Sequence, residues 1–379
     1  MREPLVSPRP YGAADTAFGL DVLGAWCRAD PRDNLVLSPS SLASGLGMAY
    51  LGARGSTAQA MASVLHLPPA STQELEAGLQ ARSTALRQLN SPGVTLQASD
   101  QVWADPALKT LPSYLDAVAT GYDAGVAQAP LLSNPGRAAA EIDAAISAAT
   151  HGQIPRLLAP GSLGDIGWVL TDALYLKAAW AQPFDPSSTS AGPFTTASGQ
   201  HVSAQFMTGG EYRTVSAAGW TAVSLPYRGG KLAMIALLPG STSQGCTMPT
   251  ASDLSTMTAA KHGAPERAIA LPKVSLSTNV SMKSLLSELG LGVAFTSSAN
   301  FTGLSAQACC IGLVKQAATL KVAEQGTVAS AATVVGMQAS AIEMPRHPVE
   351  FNRPYLLVVT DHATGEPLFL ARVANPAAH

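Results

Sequence analysis

Residues able to act as nucleophile, base or metal ligand are present in the chain, but their spacing assembles no catalytic set. The seven histidines (His66, His151, His201, His262, His347, His362 and His379) lie mostly beside turn residues, and no two have metal-ligand spacing. Cys27, Cys246, Cys309 and Cys310 are too few and too scattered for a disulfide framework, and the adjacent pair does not match a zinc spacing. The expectation is four reduced thiols. Gly161-Ser-Leu-Gly164 follows Pro160 and is no nucleophile elbow. Gly45-Leu-Gly47 with Gly52 lies inside a helical pattern with its third glycine misplaced for a dinucleotide loop. The chemistry implied is not an enzyme's, and neither a metal nor a cofactor is expected.

A different kind of chemistry is written into 324–342, EQGTVASAATVVGMQASAI. From Gln325 to Ile342 it carries neither charge nor proline and consists mainly of Val, Thr, Ala and Ser. Such composition belongs to buried strands. Yet the segment follows a strand expected at 311–323 and leads into Glu343-Met-Pro-Arg-His-Pro348. It therefore reads as a loop with the composition of a strand. Its alternate residues Thr327, Ala329, Ala331, Thr333 and Val335 are small or apolar, as a face entering a sheet interior must be. The expectation is a segment held outside a sheet and built to enter it.

The elements that position this segment follow from patterning. At 379 residues, 47% hydrophobic and 13% charged, the chain has enough apolar surface for a large core. A net charge of -2 gives no reason to expect nucleic acid, and no apolar run approaches a membrane span. Residues 1–12 read as a disordered lead-in without the apolar stretch of a secretory signal. That leaves an intracellular protein or a secreted one whose signal has been removed. An amphipathic helix is expected at 15–28, with Phe18, Val22 and Trp26 on one stripe. Ser38 suits an N-cap with Pro39 at the first helical position, and Ser56 with Gln59 has capping-box spacing. Further helices are expected at 73–89, 137–150 and 282–289. In 80–88 the only basic residues are Arg82 and Arg87, too sparse for a polyanion site.

Strands are expected at 168–180, 221–227, 231–238, 268–277, 355–361 and 367–373. Arg228-Gly-Gly230 marks one hairpin and His362-Ala-Thr-Gly365 another. Helices first, strands later and no βαβ alternation predict an α+β fold with mainly antiparallel sheets. Without repeat, linker or charge block, a single domain over 13–376 is expected.

Motifs along this order resemble the serpin family. They include Asn34-Leu-Val-Leu-Ser-Pro-Ser-Ser41, Leu174-Tyr-Leu-Lys-Ala-Ala-Trp180 with Pro183-Phe184, Phe206-Met207, Leu225-Pro-Tyr227 and Leu237-Leu-Pro239. Leu271-Pro-Lys273, Phe301-Thr-Gly-Leu-Ser305, Phe351-Asn-Arg-Pro354 and the run from Gly365 to Pro376 continue the series. The resemblance, taken as one to inhibitory bacterial-type members, implies three sheets, eight or nine helices and an exposed reactive-centre loop at about 324–348. It implies a monomer that inhibits serine or cysteine proteases as a suicide substrate: the protease forms a covalent acyl complex, and the cleaved loop then enters the central sheet.

Carried over residue by residue, the resemblance makes Gly326, Thr327, Val328, Ala329, Ser330, Ala331, Ala332 and Thr333 the hinge. It makes Glu324, Lys273 and Trp180 the point where the sheet first opens. Ser38 and Ser41 match the serines of a polar cluster beneath the central strands, where Asp172 replaces an asparagine and Gln316 a histidine. Counting forward from Glu324 places the scissile bond at Ser340–Ala341, with Ala339–Ser340 and Ala341–Ile342 as alternatives. Counting back from Phe351-Asn352 lands nearer Glu343. Serine or alanine at the primary position suits an elastase-like or subtilisin-like protease with a small pocket. A non-inhibitory serpin, acting as a binding or chaperone-like module, would show a hinge spoiled by charge or bulk. A hydrolase would need a nucleophile–base pair.

Overall fold

The computed structural model describes residues 6–98, 101–164, 166–241, 245–258, 265–327 and 348–378. Its helices are α1 (Arg9–Ala29), α2 (Pro39–Gly52), α3 (Gly55–Val64), α4 (Thr72–Arg87), α5 (Pro112–Tyr122), α6 (Pro135–Ala149), α7 (Ala251–Thr258) and α8 (Lys283–Leu286). The strands of the first half are β1 (Leu35–Leu37), β2 (Val94–Ala98), β3 (Gln101–Ala104), β4 (Val126–Gln128), β5 (Trp168–Ala179) and β6 (Thr189–Thr195). Then come β7 (His201–Ala217), β8 (Trp220–Pro226), β9 (Leu232–Pro239), β10 (Glu266–Pro272) and β11 (Val274–Ser281). The last are β12 (Leu313–Ala323), β13 (Gly326–Thr327), β14 (Val349–Glu350), β15 (Tyr355–Asp361) and β16 (Pro367–Val373).

Local chemistry explains many of these boundaries. Phe18, Val22 and Trp26 are buried on one face of α1, as their spacing predicts. That helix starts at Arg9, so 9–12 are helical rather than part of a disordered lead-in. Proline precedes the first turn, where an N–H is dispensable, and Tyr11 and Ala14 are buried. Ser38 caps α2, its Oγ accepting from Ser41 N at 3.3 Å. The capping box expected at Ser56 does not form, because α3 already begins at Gly55 and lacks a side-chain cap. One does form at Ser71 and Glu74 ahead of α4.

The segment expected as one strand at 268–277 is two strands in different sheets. β10 ends at Pro272, which has no N–H to continue a ladder, and β11 starts at Val274. Lys273 stands at the corner between them, its N–H donating to Gln205 O.

The hydrogen-bond pattern gives two networks. One runs β1-β16-β15-β9-β8-β7-β10-β14, with β6 also paired to β7. The long β7 joins its parts: its first half pairs with β6, its middle with β10 and its last residues with β8. The other runs β11-β12-β13-β5-β3-β4, with β2 paired to β5. Apolar side chains of both networks, among them Leu176, Leu320, Met234 and Phe369, form one buried cluster between them.

Two features were not foreseen. Cys27 and Cys246 form a disulfide across 219 residues of sequence, which corrects the expectation of four reduced thiols; Cys309 and Cys310 are free. Arg82, considered in the sequence only as one of two basic residues too sparse for a polyanion site, is buried against Asp15 and Glu366, at 2.6 Å from each. It also donates to Ser44 Oγ and Ser40 O, tying α4 to α1, α2 and the start of β16.

One guanidinium thus faces two buried carboxyls. Burial holds the Asp15 carboxyl protonated well above its usual range, and the neighbouring Glu366 adds to this against the pull of Arg82. Between the unfolded value of about 3.9 and the raised folded value, the folded chain keeps a proton that the unfolded chain releases. This group therefore makes stability fall as pH rises through that window. Asp15→Asn keeps a donor and an acceptor in place and is expected to be near neutral at pH 7 and to remove this slope. Arg82→Ala strands two buried carboxyls and is expected to cost about 3–5 kcal/mol. Denaturant unfolding at several pH values checks both.

Candidate functional site

The seam between β5 and β12 is where Gly326 and Thr327 enter the sheet. At one end the two strands pair directly in parallel, from Leu313↔Val169 to Ala318↔Leu174. There that ladder stops. Among the described residues the seam is bridged again by β13, which pairs with β12 at Val322↔Thr327 and with β5 at Thr327↔Ala178. The segment expected outside the sheet from Gly326 onward therefore has its first two residues inside it.

The geometry explains which residues fit. Gly326 has φ +146°, and a Cβ there would stand 2.1 Å from Ala178 O. Only glycine passes between the strands at this point. Thr327 is 1% exposed, and its Oγ1 lies 2.5 Å from the hydroxyl of Tyr227, either oxygen being able to donate. The Tyr227 ring stacks on Trp180 with centroids 4.5 Å apart and 12° between planes. Burial raises the Tyr227 phenol above its ordinary value, so it stays a neutral hydroxyl.

Trp180 also fixes the turn that leads into β13. Its indole Nε1 donates to Ala323 O at 2.9 Å and its backbone N to Gln325 O at 3.0 Å. Within that turn Glu324 Oε1 accepts from Lys273 Nζ at 2.9 Å and from Thr189 Oγ1 at 3.0 Å. Burial alone would raise the Glu324 carboxyl, but the bonds from Lys273, its own backbone and Thr189 outweigh it, and the net shift is downward. The Glu324 side chain is 13% exposed and that of Lys273 40%, so solvent holds the pair at or below about 1 kcal/mol.

At the closed end of the seam, Gln316 stands in place of the expected imidazole, its amide bonded through both its oxygen and its nitrogen. It is 0% exposed, accepts from Ser38 N at 3.3 Å and donates to Ser38 O at 3.0 Å. Ser38 Oγ in turn meets Ser40 Oγ and accepts from Ser41 N. Asp172 lies opposite Gln316 in the parallel register; its side chain is outside the described part of the structure.

The structure thus brings Glu324, Lys273 and Trp180 together at one end of the seam, and Ser38, Ser41 and Gln316 at the other. Val328, Ala329, Ser330, Ala331, Ala332 and Thr333, and the bond Ser340–Ala341, lie outside the described residues. Sequence reasoning missed Tyr227 and Thr189 as partners. The one available signal was Tyr227 ending a strand beside Arg-Gly-Gly, and nothing in it points 100 residues ahead to Thr327. Among the described residues no group of three or more His, Cys, Asp or Glu could hold a metal ion, and no helix is long and apolar enough to cross a membrane.

Among the described residues, β12 pairs directly with β5 up to Ala318, and β13 spans the seam beyond that point. The chain belongs to the serpin family: the family model described as serpin (serine protease inhibitor) matches residues 13–376. It is 28% identical over 359 residues to Ipis-1 of Ixodes persulcatus, covering 91% of this chain and 93% of that one. It is 27% identical over 377 residues to leukocyte elastase inhibitor of Bos taurus, covering 96% and 99%. Uncleaved ovalbumin superimposes with a TM-score of 0.83 at 24% identity, covering 97% of this chain and 100% of that one, and supports the fold. These relatives are a tick and a mammalian protein, so they show the family and not a bacterial type. The chain is accordingly a member of a protease-inhibitor family and not an enzyme.

Gly326→Ala is expected to expel β13 from the seam, because the clash is with backbone. Tyr227→Phe should keep β13 in place and lose only a hydrogen bond, about 0.5–1.5 kcal/mol. Amide hydrogen exchange at Thr327 separates them: fast in the first variant, near wild type in the second. Because the Glu324 carboxyl is depressed, its contribution is present above the unfolded value of about 4.3 and lost as pH falls through the folded value.

Proposed function

We propose that this serpin inhibits serine proteases as a suicide substrate, with the segment from Gly326 onward as the strand that inserts. The observation that carries this reading is the placement of Gly326 and Thr327 between β5 and β12, above the point where the direct ladder stops. A hinge already entering the seam at its first two residues needs only continuation. The following residues, Val328 to Thr333, are small, β-branched or both, which suits passage into a closing gap.

In this reading the protease serine attacks the Ser340 carbonyl, the Ala341 amine leaves, and an ester joins the protease to Ser340. Insertion then draws the ester-linked protease with the new strand before water can release it. Burying a valine side chain is worth about 1.5–3 kcal/mol and each new ladder hydrogen bond about 0.5–1.5 kcal/mol. A strand of this composition can therefore release on the order of ten kcal/mol, comparable to the stability of a whole domain. A small residue at the primary position suits an elastase-like or subtilisin-like target. The inhibitor acts as a monomer in a one-to-one covalent complex.

Mixing the protein with elastase or subtilisin should give an adduct that survives a denaturing gel, and mass spectrometry of the released C-terminal peptide should begin at Ala341. The cleaved protein should melt well above the intact one. Thr327→Arg places a charge in a buried site, at a cost of several kcal/mol, and should slow insertion by more than about tenfold, turning inhibitor into substrate. Clean cleavage by both proteases, with no adduct and no rise in melting temperature, would overturn the proposal in favour of a non-inhibitory serpin.

A further inference from the structure

Cys309 and Cys310 are adjacent, free, and oriented with their sulfurs 2.9 Å apart, the Cys309 thiol directed at Cys310 Sγ. Cys309 is exposed and Cys310 half-buried. Burial pushes the Cys310 thiol up to about 11, helped by the bond and charge of Cys309 and opposed by Lys283. The exposed Cys309 is thus the sulfur that meets an oxidant first.

The pair stands three residues ahead of β12, at the closed end of the seam. Cys310 lines a cavity of about 20 Å³ with Trp168 and Leu170 of β5 and with Phe301 and Leu304. The chain beyond it is tightly held. Ile311 N donates to Ala294 O at 2.9 Å, and a Cβ on Gly312 would stand 2.6 Å from the Ile166 side chain. A change of shape at 309–310 is therefore passed to Leu313, the first residue paired with β5.

Adjacent Cα atoms are about 3.8 Å apart, shorter than the roughly 4.4–6.8 Å that an unstrained disulfide spans. Strained disulfides have the higher reduction potentials and are the labile, regulatory kind. Cys27 and Cys246, with Cα atoms 5.6 Å apart, fall within the ordinary range.

We propose that Cys309–Cys310 is a reversible redox site, closed to a vicinal disulfide by a low-molecular-weight disulfide of the glutathione type, and that closing it loosens the β5–β12 seam at Leu313. The Cys309 thiolate attacks one sulfur of the reagent, forming a mixed disulfide and releasing one thiolate. Cys310 gives its proton to solvent and attacks Cys309 Sγ, closing the ring and releasing the second thiolate. The two cysteines lose two protons and two electrons, and the reagent leaves as two thiols. Ring closure draws the Cys310 sulfur towards Cys309 and reshapes the cavity wall it shares with Trp168 and Leu170. This holds whether or not the loop traps a protease.

The test is titration of the intact chain with oxidised glutathione. The expected product has lost two hydrogens, maps to the peptide containing 309–310, and is reversed by dithiothreitol at concentrations that leave Cys27–Cys246 intact. Amide exchange at Leu313 and Val314 should rise by roughly tenfold on closure and return on reduction. Cys310→Ser should stop at one glutathione on Cys309, with exchange unchanged. A wild-type protein that also stops at the mixed disulfide, or that links only to a second chain, overturns the redox site. Closure without faster exchange at Leu313 and Val314 overturns the coupling to the seam.

Discussion

The fold turns on a backbone requirement at the β5–β12 seam. A peptide group inside a sheet must find a hydrogen-bond partner. Along this seam the partner is β12 for the residues up to Leu174 and β13 for Ala178 and Ala179. β2 and β11 occupy the outer sides of β5 and β12, so among the described residues β13 is the element that stands between them past Ala318.

The two ends of the seam are secured by different chemistry, which sets where it can give way. At the closed end Gln316, buried, exchanges two hydrogen bonds with the Ser38 backbone, at the N-cap of α2. An amide there avoids the charge that an imidazole could acquire, so this lock does not change with pH through protonation of its own side chain. At the open end the holding groups include an ion pair at the solvent boundary, Lys273 with Glu324, which screening keeps weak. Lys273 can reach it because Pro272 breaks the strand and turns the chain between the two sheets. The seam is thus held by direct strand pairing at one end and by β13 with its neighbouring ion pair at the other.

Much of this was legible in sequence wherever the signal is local. The stripe Phe18, Val22, Trp26, the cap at Ser38 with Pro39, and the strand from Trp168 follow from periodicity and first-turn chemistry over a few residues. Gly229 and Gly230 take the positive φ that their hairpin needs. Two errors were local as well, and avoidable. Pro272 in the middle of 268–277 argued against one strand, and Ser71 with Glu74 offered a better capping box than Ser56 with Gln59. The remaining gaps are nonlocal. Arg82 meets a carboxylate 284 residues away, Cys27 a thiol 219 away, and Tyr227 a hydroxyl 100 away. Composition cannot announce such pairings, and a lone arginine on a helix reads as solvated until the fold buries it. The strand-like composition of 325–342 was readable for the opposite reason, since lack of charge is a property of one continuous stretch, of which the structure describes Gln325, Gly326 and Thr327.

Under the proposed mechanism, the restraint on insertion before any cut would be the position of the segment's two ends. Thr327 is fixed in one network, against β5 and β12, while Val349 and Glu350 are fixed in the other, paired with β10 at Ile269 and Ala270. Each residue added to an inserted strand advances it by about 3.4 Å, so continued insertion draws the far end away from β10. An intact chain must break the β14 pairing, and expose the buried Val349 and Phe351 beside it, before it gains the strand. It must also separate the six direct pairs from Leu313 to Ala318 that close the seam below. Under the proposed mechanism those costs come first and the new ladder comes after, so the barrier to insertion would be kinetic. Hydrolysis anywhere between Thr327 and Val349 would remove the first cost and leave the second, because the inserting end would no longer be tied to β14. In that mechanism cleavage acts by cutting a tether.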